Sequence, residues 1–245
     1  MSAYPWDEIF RSADWFHISG ITPAISENAA IVVLEAVKKA KKCDLKVSCD
    51  LNFRKKLWQW DVSMPPKDLA EKTMRQILPF VDVIIGNEED ASDVLGIKAD
   101  GTDVQSGKLA IDKYPQVAKK IIEQFPNISK VAITLRESIS ASHNNWGAML
   151  YDNIEQKPFF APFKDGRYEP YQIKNIVDRV GGGDSFAAGL IFALTTLELS
   201  PPQSAISFAV SASCLAHSIK GDFNFSNRNE VEMLMKGSGS GRVVR

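Results

Sequence analysis

The chain has 245 residues, of which 44% are hydrophobic and 24% charged, an ordinary globular composition with enough length for one large core. Its 29 Lys and Arg balance 30 Asp and Glu. That balance gives no electrostatic basis for binding nucleic acid or a membrane surface, and it leaves a small-molecule partner as the expectation. Cys43, Cys49 and Cys214 form neither a C-x-x-C pair nor an even set, which fits a reducing, cytoplasmic setting.

The N-terminal stretch MSAYPWDEIFRSADW mixes acids and aromatics and lacks the pattern of a signal peptide. In chain order, Trp15 to Ser19 predicts a short strand. A helix follows over Glu27 to Lys42, with Ala30, Val33, Leu34 and Val37 on one face. Lys46 to Cys49 predicts the next strand. Pro66 suits a first helical position, and Leu69, Thr73 and Ile77 recur at helical spacing before Pro79. Val81 to Ile85 is a β-branched run and predicts a buried strand.

A helix is expected from Asn87 to the residue before Gly96, then a polar loop from Lys98 to Lys113. A further helix, Gln116 to Phe125, stops at Pro126 and leads into an apolar strand, Val131 to Leu135. Strands alternating with helices predict one α/β domain over 1–245 with a mostly parallel, doubly wound sheet covered on both faces. Trp146 to Tyr151 and Pro158 to Pro162 lie too close together for an intervening helix, so they predict an antiparallel edge hairpin.

Strand Ile173 to Val177 is expected next, then a helix from Ser185 to Leu197 that is small or apolar almost throughout and so buried all round. A second helix follows Pro201 and Pro202, with Ala205, Phe208, Ala209, Ala212, Leu215, Ala216 and Ile219 on the face that packs beside the first. The charge-free run Leu199 to Ile219 carries two prolines, several serines and His217, which argues against a membrane span. The terminal GSGSG at 237–241 opens a flexible tail to 245.

The segment with the clearest chemistry is Asp178-Arg179-Val180-Gly181-Gly182-Gly183-Asp184-Ser185-Phe186, between a strand and a helix. Gly181, Gly182 and Gly183 let backbone N–H groups approach an anion, and the helix N-terminus adds unpaired donors and a positive dipole end. An aspartate at the mouth of such a site can take a proton from an attacking hydroxyl during phosphoryl transfer. The alternative is a tight turn in which Asp184 caps its helix, since Asp is a good cap. Glycines before a helix leave both readings open. No G-x-x-x-x-G-K-[ST] occurs, and a dinucleotide fingerprint would need a glycine where Phe186 stands.

This segment resembles the D-T-x-G-A-G-D signature of the ribokinase-like (PfkB) carbohydrate kinases. FHISGITPAIS at 16–26, DLNFRKKLWQW at 50–60, IIGNEEDA at 84–91, LRESISASHN at 135–144 and the terminal SGRVVR look like the 2-keto-3-deoxygluconate kinase branch. The resemblance implies a ribokinase-like fold and phosphorylation of 2-keto-3-deoxygluconate to its 6-phosphate by ATP with Mg2+. Asp184 would be the base, and Gly181, Gly182 and Gly183 the anion hole.

The family's D-x-N-x-R stretch falls on Asp50, Asn52 and Arg54, where a guanidinium would meet the carboxylate of a sugar acid. The other reading of Arg54 is a surface residue in a basic run. The family's N-x-x-E motif, which supports magnesium through waters, falls on Asn87 to Asp90 with Asp in place of Glu; a helix cap at Asn87 is compatible with that role. Nucleotide contacts would come from Arg136 and Ser138, and from the turn Ser218 to Gly221. Trp58 and Trp60 suit either a sugar floor or core packing.

Two departures stand out. Arg179 and Gly182 replace the signature's Thr and Ala, which an anion hole made of backbone donors tolerates. The family's opening sugar-binding stretch, first strands and β-sheet lid do not precede Met1. A fold that starts this late would be marginally stable, bind ATP weakly and turn over little. A kinase for another sugar, fructose or ribose, and a catalytically impaired nucleotide-binding fragment are therefore the rival readings; a homo-oligomer is left open.

Overall fold

The computed structural model describes residues 4–97 and 111–237. Of the expected loop Lys98 to Lys113, residues 98–110 lie outside the described residues and Ile111–Lys113 form a 3-10 turn; the tail at 238–245, with most of its glycine-serine run and the SGRVVR match, also lies outside them. In chain order the elements are α1 (Trp6–Ile9), β1 (Trp15–Ser19), α2 (Ile21–Ile25), α3 (Glu27–Lys42), β2 (Lys46–Asp50), α4 (Pro66–Ile77), β3 (Val83–Asn87), α5 (Glu88–Leu95) and α6 (Tyr114–Gln124). Next come β4 (Lys130–Ser140), β5 (His143–Asp152), β6 (Lys157–Ala161), β7 (Phe163–Lys164), β8 (Arg167–Tyr168), β9 (Tyr171–Ile173), α7 (Gly182–Thr195), α8 (Pro202–Ala216) and α9 (Arg228–Met235). The described residues fall into two compact units.

The first unit comprises residues 4–97, 111–133 and 151–157. Its strands run in the order β1-β2-β3-β4. β1 is parallel to β2 in the register Trp15 to Lys46, and β2 is parallel to β3 with Ser48 beside Val83. Helix α3 forms because Ser26 accepts the N–H of Ala29 as an N-cap and Lys39, Lys41 and Lys42 sit in its last turn, where the dipole favours cations. It buries Ala30, Val33, Ala36, Val37 and Ala40; Leu34 is only half-buried, so the apolar stripe is completed by alanines instead. The end of α3 is fixed where Lys41 Nζ meets both Asp82 oxygens, at 2.9 and 2.7 Å, and Asp82 Oδ2 accepts the Val47 N–H.

Helix α4 opens with Pro66 in its first turn and runs into a 3-10 turn, Leu78–Phe80, that contains Pro79. The Val81 N–H closes that turn on Leu78, which is why β3 begins at Val83 and not at Val81. Helix α6 starts two residues ahead of expectation, at Tyr114, because Pro115 is tolerated in a first turn. Trp58 is 1% exposed and belongs to the core, and Trp60 Nε1 donates to the Pro23 carbonyl at 3.1 Å.

The second unit comprises residues 134–150 and 158–237. Its strands run β4-β5-β6, with β9 antiparallel on β5 and β7 paired with β8. Two residues separate β4 from β5, so that pair is also a hairpin, and β4 continues to Ser140, beyond the expected end at Leu135. The strand expected over Ile173 to Val177 ends at Ile173. Beyond it the backbone turns to other partners: Ile176 N–H to Ser142 O at 3.1 Å, and Val177 N–H to His217 O at 2.9 Å.

α7 and α8 pack closely, since a Cβ on Gly189 would sit 3.1 Å from both Ala209 Cα and Ala212 Cβ. α7 is not buried all round. Asp184, Ala188, Phe192 and Thr195 form an exposed stripe at helical spacing. Among the described residues no helix is long and apolar enough to cross a membrane.

Candidate active site

The sequence-predicted residues fall into two groups, each within one unit. In the second unit, the loop Asp178 to Gly181 delivers the chain into α7. Gly181 is the N-cap of α7 with φ of 75°, so the helix starts at Gly182, three residues before its expected start at Ser185. Asp184 is therefore a first-turn residue and not the cap. Its carboxylate is exposed and has no hydrogen-bond or ion-pair partner among the described residues. It stands at the positive end of α7 beside unpaired backbone donors.

The glycines of the loop differ in what holds them. At Gly181 a Cβ would lie 2.5 Å from the Asp222 carbonyl oxygen, and its φ is left-handed. Gly181→Ala is thus expected to destabilise the fold by about 2 kcal/mol or more, read as a lower denaturant midpoint; an unchanged midpoint would contradict this. At Gly183 nothing among the described residues, its own helix backbone aside, lies within 4 Å of where a Cβ would point. Space that a methyl could fill, at a helix N-terminus, is suited to an anion.

The loop is supported from below. Ser213 Oγ donates to Gly182 O at 2.7 Å, and His217 Nδ1 donates to Ser213 O at 2.8 Å, which fixes the proton on Nδ1. Burial holds the His217 imidazole below its ordinary value against that hydrogen bond, and the Arg179 and Arg136 guanidinium groups push the same way. Asp178 links the loop to the predicted nucleotide turn: Oδ1 accepts the Arg179 and Val180 N–H groups at 2.7 and 3.1 Å, and Oδ2 accepts the Gly221 N–H at 3.0 Å. The N–H groups of Val180, Gly221 and Arg179 keep the Asp178 carboxyl below the usual range. Arg136 and Ser138 are exposed on β4, and Ser218 is exposed at the turn.

Asp184 lies on a cleft of about 440 Å3 that also takes Ala188 and Phe192 from α7, Phe208 from α8, and Phe223 and Arg228. Phe223 is 69% exposed and Phe192 41%. Sequence reasoning missed this wall. The segment 217–227 has no periodicity, yet Asn227 and Glu230 form a capping box that opens α9, and that N-x-x-E spacing was a usable signal for the helix carrying Arg228.

In the first unit, Asp50 ends β2, and Asn52 and Arg54 follow in the loop beyond its C-terminal end. Asn52 adopts φ of 38°, donates its N–H to Asp50 Oδ1 at 3.2 Å and its Nδ2 to Ser19 Oγ at 3.2 Å. Arg54 donates to its neighbour's carbonyl, Phe53 O, at 3.0 Å and forms no salt bridge among the described residues. Asn87 Oδ1 accepts the N–H groups of Glu89 and Asp90, while the two Asp90 oxygens accept those of Phe53 and Asn87, at 2.9 and 3.0 Å. Burial raises the Asp90 carboxyl above its ordinary value despite these bonds and Arg54.

No group of three or more His, Cys, Asp or Glu that could hold a metal occurs among the described residues. Asn87 and Asp90 fit a metal only through water, because Asp90 is 5% exposed and each of these oxygens already accepts a backbone N–H.

The chain matches the pfkB family carbohydrate kinase over residues 2–228. It is 39% identical to the solved 2-dehydro-3-deoxygluconokinase of Thermotoga maritima, with a TM-score of 0.81 over 96% of this chain and 64% of that one. A PfkB family carbohydrate kinase from Listeria grayi is 28% identical with a TM-score of 0.78, over 96% and 64% of the two chains. The 2-dehydro-3-deoxygalactonokinase of Haloferax volcanii is 25% identical over 234 residues, 96% of this chain and 61% of the relative. The chain thus spans under two thirds of the length of each of these relatives. It belongs to the pfkB family of carbohydrate kinases.

Proposed function

We propose that this protein transfers the γ-phosphate of ATP to the terminal hydroxyl of 2-keto-3-deoxygluconate, with Asp184 as general base. The observation that carries the reading is a carboxylate with no partner among the described residues, in the first turn of a helix entered through three glycines, of which Gly183 faces open space. In this reading the backbone N–H groups of Gly181 to Gly183 hold the phosphate, and negative charge developing in transfer falls where the helix dipole favours it. Asp184 accepts the hydroxyl proton as the oxygen attacks. The exposed aromatic rings of the cleft suit a purine base, with the turn Ser218 to Gly221 and with Arg136 and Ser138 contributing polar contacts.

Mg2+, bound to the nucleotide phosphates, would neutralise charge on their oxygens. Asn87 and Asp90 would reach it through water.

Arg54 is assigned to the sugar acid, supported by a guanidinium that forms no salt bridge among the described residues, in the loop after the C-terminal end of a parallel strand. Asp50 and Asn52 shape that loop. Arg54→Ala is expected to raise the KM for 2-keto-3-deoxygluconate by about tenfold or more, from loss of a charge-assisted pair. The KM for a neutral sugar such as fructose or ribose should not move. Equal rises for both would remove Arg54 as the carboxylate partner and favour another substrate.

A further inference from the structure

The three parts assigned above to the nucleotide are the loop at Gly181 to Gly183, the turn at Ser218 to Gly221 and the strand bearing Arg136 and Ser138. Two consecutive side chains join them. Asp178 reaches the turn through the Gly221 N–H. Arg179 reaches the other way, to the tip of the β4–β5 hairpin, where its Nη2 donates to Ser140 O at 2.9 Å, Ala141 O at 2.8 Å and Asn144 Oδ1 at 3.3 Å.

The backbone repeats this division. The Ile176 N–H bonds the hairpin at Ser142 O, and the Val177 N–H bonds the end of α8 at His217 O. The approach to the anion loop is therefore strung between the hairpin and the α8 turn. Asn144 is 1% exposed and its Nδ2 has no hydrogen-bond partner among the described residues, so its burial costs free energy that its bond to Arg179 partly offsets. The His217 ring lies against Gly182, so the helix start is packed on the same turn whose carbonyl takes the Val177 N–H.

We propose that Arg179 is a positioning residue for the nucleotide: it clamps the β4–β5 hairpin to the loop that opens the anion hole, and it does so without touching the nucleotide. The inference rests on the nucleotide reading above. All three acceptors meet the one nitrogen Nη2, whose two hydrogens they share; a guanidinium suits the task because its planarity holds those hydrogens in one orientation, which a freely rotating lysine ammonium does not. The Thr of the family signature is too short to span this gap, so the departure at this position has a structural use.

The test combines amide hydrogen exchange with nucleotide titration on the whole chain, for wild type, Arg179→Ala, Arg179→Lys and Asn144→Ala. Without ligand, Arg179→Ala is expected to speed exchange about tenfold both at the hairpin tip, 138–144, and at 178–184. ATP affinity should fall about tenfold, while the KM for the sugar acid stays within about twofold. Arg179→Lys should recover part of the loss. Asn144→Ala should shift both readouts in the same direction, and Arg179→Ala with Asn144→Ala together should be no worse than Arg179→Ala alone.

Lost ATP affinity with unchanged exchange at the hairpin tip would mean that Arg179 meets the nucleotide itself, and would overturn the proposal. Faster exchange with unchanged ATP affinity would overturn it too, since the clamp would then position nothing. A wild-type chain that binds no ATP overturns the proposed function, and this inference with it; the other two results overturn this inference alone.

Discussion

Asp184→Asn is expected to lower kcat by about a hundredfold or more while leaving the KM for ATP nearly unchanged, since general-base catalysis commonly contributes 10²–10⁴. The substitution keeps the shape of the side chain and removes its ability to take a proton. Because Asp184 has no partner among the described residues and is not the cap of α7, the amide costs the fold only the favourable interaction of a first-turn charge with the helix dipole, about 0.3–1 kcal/mol. The melting temperature should therefore stay within a few degrees of wild type. A coupled kinase assay reads the rate, and thermal unfolding reads the fold. A kcat within about threefold of wild type would remove Asp184 as the base.

Gly183→Ala is expected to separate stability from function. Nothing among the described residues lies where the new methyl would go, and alanine is favoured over glycine inside a helix by about 1 kcal/mol. The fold should be unchanged or slightly more stable. The methyl would instead occupy the space assigned to phosphate and push an oxygen from a backbone donor. Loss of one hydrogen bond to a charged group, about 1.5–3 kcal/mol, corresponds to roughly a 10- to 100-fold rise in the KM for ATP. The neighbouring Gly181→Ala acts through the fold, by strain and collision with Asp222, so the two substitutions should give opposite changes in melting temperature. An ATP KM unaffected by Gly183→Ala would argue against an anion at that position.

Most of the fold was legible because periodicity reports which faces are buried. Val33 and Val37 of α3, and Leu69, Thr73 and Ile77 of α4, are buried as their spacing implied. Misses came where backbone partners lie far away in sequence. The strand expected over Ile173 to Val177 stops at Ile173 because the N–H groups beyond it bond a hairpin tip and the end of α8, which no local pattern announces. The apolar composition of α7 suggested complete burial. Yet Ala188 and Phe192 face a cleft, and an apolar residue in a ligand site reads the same as one in a core.

The glycine run located the candidate site, but residue type alone could not separate a capping Asp184 from a free one. The left-handed Gly181 decides it by starting the helix earlier. Asn87 and Asp90 show the reverse case. Their spacing matches a metal-support motif by resemblance, and the same spacing builds a capping box here, as Asn227 and Glu230 do at α9.

The central claim is phosphate transfer from ATP to a sugar acid through Asp184. Its most direct measurement is single-turnover transfer from γ-labelled ATP with Mg2+ and the protein in excess, with and without 2-keto-3-deoxygluconate, for wild type and Asp184→Asn. The account predicts label on the sugar acid in wild type, none without the acid, and transfer slowed by about a hundredfold or more in the Asn variant. Label that never reaches the acid although ATP is bound, or that reaches it equally fast in both proteins, would contradict it.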